Sequence, residues 1–250
     1  MENLKVSIIT PVFNNKKTIE SCIKSVLSQT YNNIEHIIID GKSTDGTMEI
    51  INKYKDQIYK IVSEKDHGIY DAFNKGISLA TGEIIGILNS DDFFFDENTI
   101  EEIAQKFCSK NIDLLYANME IISNKNNQKI IRYWKGGNFS LNRLHYGWMP
   151  PHPTCYVRST IYDKYGVYSK YYSISGDYEF LIRILKNEDL NIHYLDKTTI
   201  KMRHGGKSTK NIFNSIKKKI EDYKIIKAHS LKGKIFTLIW KSLSKIPQLI

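Results

Sequence analysis

The 250-residue chain has no run of about 18 apolar residues, which excludes a membrane-spanning helix. Residues Met1 to Ser7 lack a basic stretch followed by an apolar one, so secretion is not expected. Its three cysteines, Cys22, Cys108 and Cys155, are scattered and odd in number. They fit neither a disulfide framework nor a zinc pattern, and they suit a reducing cytoplasm. No Gly-x-Gly-x-x-Gly follows the first strand-like run, and no Gly-x-x-x-x-Gly-Lys-Ser/Thr occurs, so neither a dinucleotide fold nor a P-loop is indicated. Internal repeats and low-complexity segments are missing too.

Acidic residues are scarce at one end. Residues 205–250 hold eleven lysines against Glu221 and Asp222, which accounts for the whole formal net charge of +9. Residues 1–204 are neutral overall. A nucleic-acid-binding enzyme would carry basic residues around its main cleft, so nucleic acid is not an expected partner. At 41% hydrophobic and 25% charged residues, the composition is otherwise that of a soluble globular protein.

What is present is organised around Ile84-Ile85-Gly86-Ile87-Leu88-Asn89-Ser90-Asp91-Asp92. An apolar run, read as a strand buried on both faces, stops at two adjacent carboxylates. Adjacent carboxylates repel unless something positive sits beside them, and a hard divalent cation carrying a diphosphate would serve. Helix capping is the alternative role for this pair. Asp96 is better placed for that, just before the periodic residues Ile100, Ile103, Ala104 and Phe107.

Upstream, strand-like runs alternate with helical spacings. Val6 to Thr10, Glu35 to Asp40 and Ile58 to Ser63 read as strands. Helices are expected over about 17–29, after the polar turn Gly41–Gly46, and along Ile69, Phe73, Gly76, Ile77 and Ala80. This order means a parallel sheet with crossover helices. The strands end in polar residues at one edge: Thr10, Asp40, Glu64 and Asp66, then Asp91 and Asp92. Open α/β sheets bind ligands at that edge. Without a glycine-rich loop for phosphates, a metal ion is the natural way to neutralise them.

The alternation stops near residue 110. A strand at Leu114–Ala117, a hairpin from Met119 to Ser123 and Lys129 to Trp134, and a long loop containing Trp148-Met149-Pro150-Pro151-His152-Pro153 follow. Ser175-Gly176-Asp177 precedes a helix, and two strand-like runs follow at Ile192–Leu195 and Thr199–Met202.

Together these segments resemble glycosyltransferase family 2, the inverting enzymes with the GT-A fold. The likeness rests on Ser7–Asn14, Ile38–Thr47, Asp66–Gly76, Ala80–Glu83, Asn89–Asp92 and Ser175–Glu179, in that order through about 200 residues. It is strongest to bacterial enzymes that build O-antigen or exopolysaccharide repeat units on a polyprenyl diphosphate. The resemblance implies an α/β domain with a mixed, mostly parallel sheet flanked by helices. Residues 1–110 would form its nucleotide-sugar half and 111–208 its acceptor and catalytic-base half, ahead of a basic helical tail over 209–250.

The resemblance also implies roles. Thr10, Pro11, Val12 and Asn14 would lie along the nucleotide, Asp40 would accept the uracil N–H, and Ser43 would stand beside it. Asp66, Asn74 and Lys75 would border the nucleotide, with Asn89 and Ser90 at the same edge. Asp91 would hold the ribose and Asp92 the Mn²⁺ or Mg²⁺ ion. Asp177 matches the catalytic base, with an N-cap as its structural alternative. His204 matches a further metal or phosphate contact, against a strand-end histidine bonded to backbone. His152 and Trp148 are acceptor-side candidates, against structural roles for both. Two positions depart from the pattern: many members have an acid where Asn89 stands and another where Gly176 stands. The first bears on metal binding; the second removes a like charge beside Asp177. A Gln-x-x-Arg-Trp motif, typical of processive synthases, is absent, so a single sugar is expected to be added.

The implied reaction moves one hexose, from UDP-glucose or UDP-galactose by preference, to a polyprenyl-diphosphate-linked sugar. A nucleotidyltransferase and a non-catalytic carbohydrate-binding or scaffold protein are the alternatives. The first would carry a glycine-rich basic loop near Thr10–Asn15, which is lacking. The second would have no need of Asp40, Asp91, Asp92 and Asp177 together.

In the tail, Ile212, Ile216, Ile220 and Tyr223 share a helical face beside Lys217, Lys218 and Lys219. Ile235 to Trp240 is flanked by Lys232, Lys234, Lys241 and Lys245. An apolar patch with an interfacial Trp and a lysine collar suits the anionic inner face of the cytoplasmic membrane. The alternative is that these helices pack on the catalytic domain with their lysines in water.

Overall fold

The computed structural model describes residues 3–124, 126, 129–205, 212–243 and 248, with the backbone alone at 212, 234, 235 and 242. The segment 206–208, Lys245 and the side chains of Ile212, Lys234 and Ile235, all invoked above, lie outside what is described.

The first half alternates as expected: β1 (Val6–Val12), α1 (Ile19–Leu27), β2 (Ile34–Asp40), α2 (Thr47–Asn52), β3 (Lys60–Ser63), α3 (Ile69–Leu79) and β4 (Ile84–Ile87). β1 and β4 are buried at every residue, which is why their sequences run apolar rather than alternating. The second half adds β5 (Phe93–Phe94), α4 (Thr99–Ser109), β6 (Leu114–Ile122), β7 (Ile130–Trp134), α5 (Leu141–His145), β8 (Tyr156–Arg158), α6 (Ser159–Tyr165), α7 (Gly176–Leu185) and β9 (Ile192–Arg203). Two helices close the chain, α8 (Ile212–Ala228) and α9 (Lys234–Leu243).

All strands join one sheet in the order β3-β2-β1-β4-β8-β6-β9-β5, with β7 on β6. β1 lies parallel to both β2 and β4, so the strand order reverses direction there. A crevice opens at such a switch point, outside the carboxyl ends of the strands. β8 runs antiparallel to β4 and β6 and joins the two halves. One face of the sheet packs Ile9, Ile37 and Ile85 against Phe73 of α3 and Leu181 of α7. The other packs Val6, Ile8 and Ile84 against α1 and against Ile100, Ile103 and Phe107 of α4.

Three elements differ from expectation. Leu114–Ala117 and the first hairpin arm are one strand, β6, running through Asn118. This amide is 1% exposed, but it donates to Asp196 Oδ1 (3.0 Å) and accepts from Gly136 N (2.9 Å) and Tyr194 Oη (2.7 Å). A buried amide so satisfied interrupts the apolar pattern without ending the strand. Ile192–Leu195 and Thr199–Met202 are likewise one strand, β9, whose register against β6 shifts between Tyr116 and Met119. Asp96 lies two residues before the N-cap position, Asn98, and accepts from Asn98 N (3.1 Å) and from the side chain of Thr99, the first residue of α4 (2.9 Å).

The closing helices pack on the rest of the domain. Ile225, Ile226 and Leu231 belong to its core, and Thr237 Oγ1 donates to His145 O (2.9 Å). Lys241 pairs with buried Asp222 at 2.9 Å and lies 3.2 Å from the Tyr178 ring centroid. Burial pushes the Lys241 ammonium down to about 8, with Asp222 acting against the shift. Part of the tail faces away from the core. Phe213, Ile216, Ile220 and Tyr223 on α8, and Phe236, Ile239, Trp240 and Leu243 on α9, are exposed.

Candidate active site

The loops at the carboxyl edge are sewn together by short polar side chains. Asn14, at φ 50°, donates its N–H to Ser43 Oγ (2.8 Å) and accepts from Thr44 N (2.8 Å). Asparagine tolerates this left-handed backbone. Asn15 Nδ2 donates to Ser90 Oγ (2.8 Å), and Thr18 Oγ1 to Ser90 O (3.0 Å). The loops after β1, β2 and β4 are thereby held around one crevice.

Asp92 lies at its floor, 1% exposed. Its Oδ2 accepts from Asn89 Nδ2 (3.0 Å). Its Oδ1, and Asn89 Oδ1 beside it, are buried with no partner among the described residues. Burial first, then the charge of Asp91, pushes the Asp92 carboxyl well above the usual carboxylate range. Arg203 reaches in from the end of β9, donating to Asp91 O (2.7 Å) and Ser21 Oγ (3.1 Å) while lying over Phe93. Two oxygens without partners, one from a carboxylate, fit a hard divalent cation. Among the described residues no three His, Cys, Asp or Glu side chains gather to hold a metal by themselves. A cation at Asp92 would therefore complete its coordination from a bound diphosphate and water. In such a site Asn89 would orient Asp92 through its Nδ2–H and offer a neutral oxygen.

Asp177 stands in the first turn of α7, half-buried. Its Oδ1 faces Tyr70 Oη (3.1 Å) and Tyr178 N (2.8 Å), and no described residue hydrogen-bonds its Oδ2. The Tyr70 ring lies so close over Gly176 that a Cβ there would sit 2.7 Å from it. A larger residue at this position would have to displace the ring. The turn before Asp177 is held from α8. Glu221 accepts from Ser173 N (3.1 Å), Ser173 Oγ (2.9 Å), Ile174 N (2.9 Å) and Ser175 N (2.9 Å). Burial acts to raise the Glu221 carboxyl, but these bonds outweigh it and hold it below its ordinary value.

A cavity of about 2430 Å³ joins these parts. One small-molecule site occupies roughly 300–1,000 Å³, so there is room for two substrates. Of the expected residues, Pro11, Val12, Asn14, Asp66, Asn89, Ser90, Asp91, Asp92, Trp148, His152, Asp177 and His204 line it. Thr10, Asp40, Ser43, Asn74 and Lys75 do not. Thr10 is fully buried and bonded to His36 Nε2 (2.9 Å). Asp40 is fully buried, accepting from Ser63 Oγ (2.6 Å) and Ser43 N (3.1 Å), so it shapes the turn that presents Gly41 and Lys42 to the cavity. Asn74 ties α3 to Tyr168, and Lys75 pairs with Asp66 (2.7 Å) and Glu64 (2.9 Å).

His152 is buried against Phe73, and its Nε2 meets Tyr168 Oη (2.8 Å). Burial pushes its pKa down, with Asp177 opposing. Trp148 donates Nε1–H to Gly136 O (2.9 Å) while Arg143 covers its ring. Both side chains are thus structural as well as cavity-lining. His204 is exposed and its N–H donates to Ile122 O (2.9 Å).

Sequence reading passed over Tyr70, Arg203 and Glu221. Tyr70 lies inside the segment Asp66–Gly76, where nothing in the sequence sets it apart. Glu221 and Asp222 carried a signal, as the two acids in a segment of eleven lysines.

The glycosyl transferase family 2 model matches residues 7–168. A "PGL/p-HBAD biosynthesis glycosyltransferase" of Mycobacterium bovis is 31% identical over 194 residues, 76% of this chain and 73% of the relative. A UDP-Glc:alpha-D-GlcNAc-diphosphoundecaprenol beta-1,3-glucosyltransferase of Escherichia coli, WfgD, is 36% identical over 125 residues, about half of each chain. The fold matches a mannosyltransferase of Pyrobaculum calidifontis solved with GDP-Man and Mn2+, at TM-score 0.67 and 14% identity, covering 96% of this chain and 70% of that one. Asp177, α7, α8 and α9 lie beyond the family match, but the switch-point crevice with Asp91, Asp92 and His152 falls within it. On that ground the chain belongs to glycosyltransferase family 2, with the GT-A fold.

Proposed function

We propose that the protein transfers one hexose, with inversion, from a UDP-sugar to a sugar carried on a polyprenyl diphosphate. UDP-glucose and UDP-galactose are the favoured donors, and the product would enter cell-surface polysaccharide or O-antigen. The observation that carries this reading is the pairing of two carboxylates in one cavity. Asp92 has an oxygen without a described partner at the switch point, and Asp177, on α7, lines the same cavity with its Oδ2 not hydrogen-bonded by a described residue. The donor and acceptor named for the relative WfgD support the substrate class.

The uridine would lie along Pro11, Val12, Asn14 and Asp66, with Thr10, Asp40, Ser43, Asn74 and Lys75 supporting those loops from behind. Asp91 would meet the ribose, with Asn89 and Ser90 holding the edge. Asp92, with Asn89 and His204 nearby, would hold Mn²⁺ or Mg²⁺, which neutralises the departing diphosphate. Asp177 Oδ2 takes the proton from the acceptor hydroxyl as that oxygen bonds the anomeric carbon and UDP leaves. Tyr70 fixes Oδ1, Glu221 fixes the turn, and His152 and Trp148 border the acceptor. Arg203 braces the Asp91 backbone.

A lipid-linked acceptor places the enzyme on the inner face of the cytoplasmic membrane. No helix among the described residues is long and apolar enough to cross one. The exposed apolar residues of α8 and α9, among lysines, form the surface we assign to that contact. The test is a screen of UDP-sugars with Mn²⁺ against short-chain GlcNAc- and GalNAc-diphospholipids, with linkage read by NMR. Release of UDP with a new glycosidic bond supports the reading. Release of pyrophosphate, or no turnover with any donor, rejects it.

A further inference from the structure

We infer that Lys217 and Lys218 of α8 bind the diphosphate of the acceptor, at a site separate from the one that takes the donor's diphosphate. This deepens the proposed activity and rests on it.

The assignment follows from where charge is needed. Displacement with inversion puts the attacking hydroxyl and the leaving group on opposite sides of the anomeric carbon. With the donor's diphosphate at Asp92, the base Asp177, on another element of the same cavity, would lie on the far side. Positive charge on the far side cannot serve the donor's diphosphate. It matches an anion that arrives with the acceptor.

Lys217 and Lys218 line the cavity together with Ser173, Ile174 and Asp177. They lie four and three residues before Glu221, about one helical turn away. Glu221 grips the turn that carries Asp177. Both lysines are thus set beside the base by the helix that positions it. The acids at hand are already engaged: Glu221 by Ser173, Ile174 and Ser175, and Asp222 by Lys241. Neither the Lys217 nor the Lys218 ammonium forms a salt bridge or hydrogen bond with a described residue, although the charge of Lys218 bears on Asp222. Lys241, buried behind them, adds positive charge that Asp222 offsets. Two ammonium groups in the cavity, neither held in a salt bridge with a described residue, suit a diphosphate; Asp222, which feels the charge of Lys218, is already paired with Lys241. Outward from them on the same helix, Phe213 and Ile216 are exposed, where a polyprenyl chain would continue.

The test compares two soluble acceptors in detergent-free buffer with the full chain: a short-alkyl diphosphate carrying GlcNAc, and the same alkyl GlcNAc without phosphates. Wild-type kcat/KM should favour the diphosphate acceptor. Lys217→Gln with Lys218→Gln should reduce that preference by on the order of 100-fold, about 10-fold for each lysine, chiefly through KM. A second readout is independent of turnover. With UDP and Mn²⁺ saturating, a plain alkyl diphosphate should bind wild type and bind the double variant on the order of 100-fold more weakly. Should the double variant melt early, Lys217→Gln alone, at an exposed position, should give about one tenfold step.

A preference unchanged in the variants overturns the site. If vesicle binding falls in those same variants, the lysines serve a lipid headgroup instead. Wild type that favours neither acceptor also overturns the site while leaving the transferase reading intact. Wild type that uses neither acceptor overturns both.

Discussion

The Tyr70 hydroxyl lies 2.7 Å from Ile174 O and 3.1 Å from Asp177 Oδ1. One phenol on α3 thereby contacts both the turn before Asp177 and one of the Asp177 oxygens. Tyr70→Phe removes that hydroxyl and leaves the ring over Gly176. The expected result is a fall in kcat of about tenfold, with UDP affinity unchanged. Steady-state kinetics and a UDP titration check it. Unchanged kcat would mean that Asp177 needs no such orientation.

Asp92 supplies a second prediction, read from stability as well as rate. Mn²⁺ with UDP should raise the melting temperature of wild type by mass action. Asp92→Ala should abolish that rise and turnover together, and EDTA should abolish turnover in wild type. A Mn²⁺-dependent shift that survives in Asp92→Ala would place the ion elsewhere.

His36 gives a pH dependence. Burial pushes its pKa from 6.5 down to about 3. The unfolded chain gains a proton near pH 6.5 that the native state refuses until about 3, so between them the unfolded state binds more protons. The group's contribution is full above 6.5 and is lost as pH falls through that window. The loss approaches about 1.4 kcal/mol per pH unit. His36→Gln should flatten the fall of unfolding free energy between roughly pH 6 and 5 by nearly that slope. Urea titrations at several pH values measure it, and a parallel slope would contradict a neutral buried imidazole.

The sheet was legible because its strands are apolar runs that stop at polar residues: Ile84–Leu88 before Asn89 to Asp92, and Ile37–Ile39 before Asp40. Legibility failed where polar residues are buried for tertiary reasons. Asn118 broke β6 into two readings because its partners, Gly136, Tyr194 and Asp196, lie far along the chain. The motifs are visible in the sequence, but which of their residues face the cavity is not. Thr10 and Asp40 alternate with Pro11 and Gly41, and only the structure shows which side opens. Glu221 was hidden among lysines, since its partners, residues 173–175, are some 46 positions away.

The tail makes the fourth prediction. Phe213 and Phe236 are 76% and 70% exposed, so Phe213→Ser with Phe236→Ser should weaken binding to anionic vesicles without lowering the melting temperature. Lys241→Ala should do the reverse. It leaves Asp222 buried without its cation, which costs roughly 3–5 kcal/mol. Deleting residues 231–250 should destabilise for the same reason, so that truncation cannot serve as a membrane test. Full vesicle binding by the double serine variant would argue against the assigned surface.

The most direct test of the account is Asp177→Asn in the presence of UDP-sugar, Mn²⁺ and a diphosphate-linked acceptor. Asparagine keeps the shape and hydrogen-bonding reach of Asp177 but cannot accept the hydroxyl proton. The account predicts UDP affinity equal to wild type and a loss in kcat on the order of 10²-fold or more. Retention of most turnover, or loss of UDP binding in its place, would contradict it.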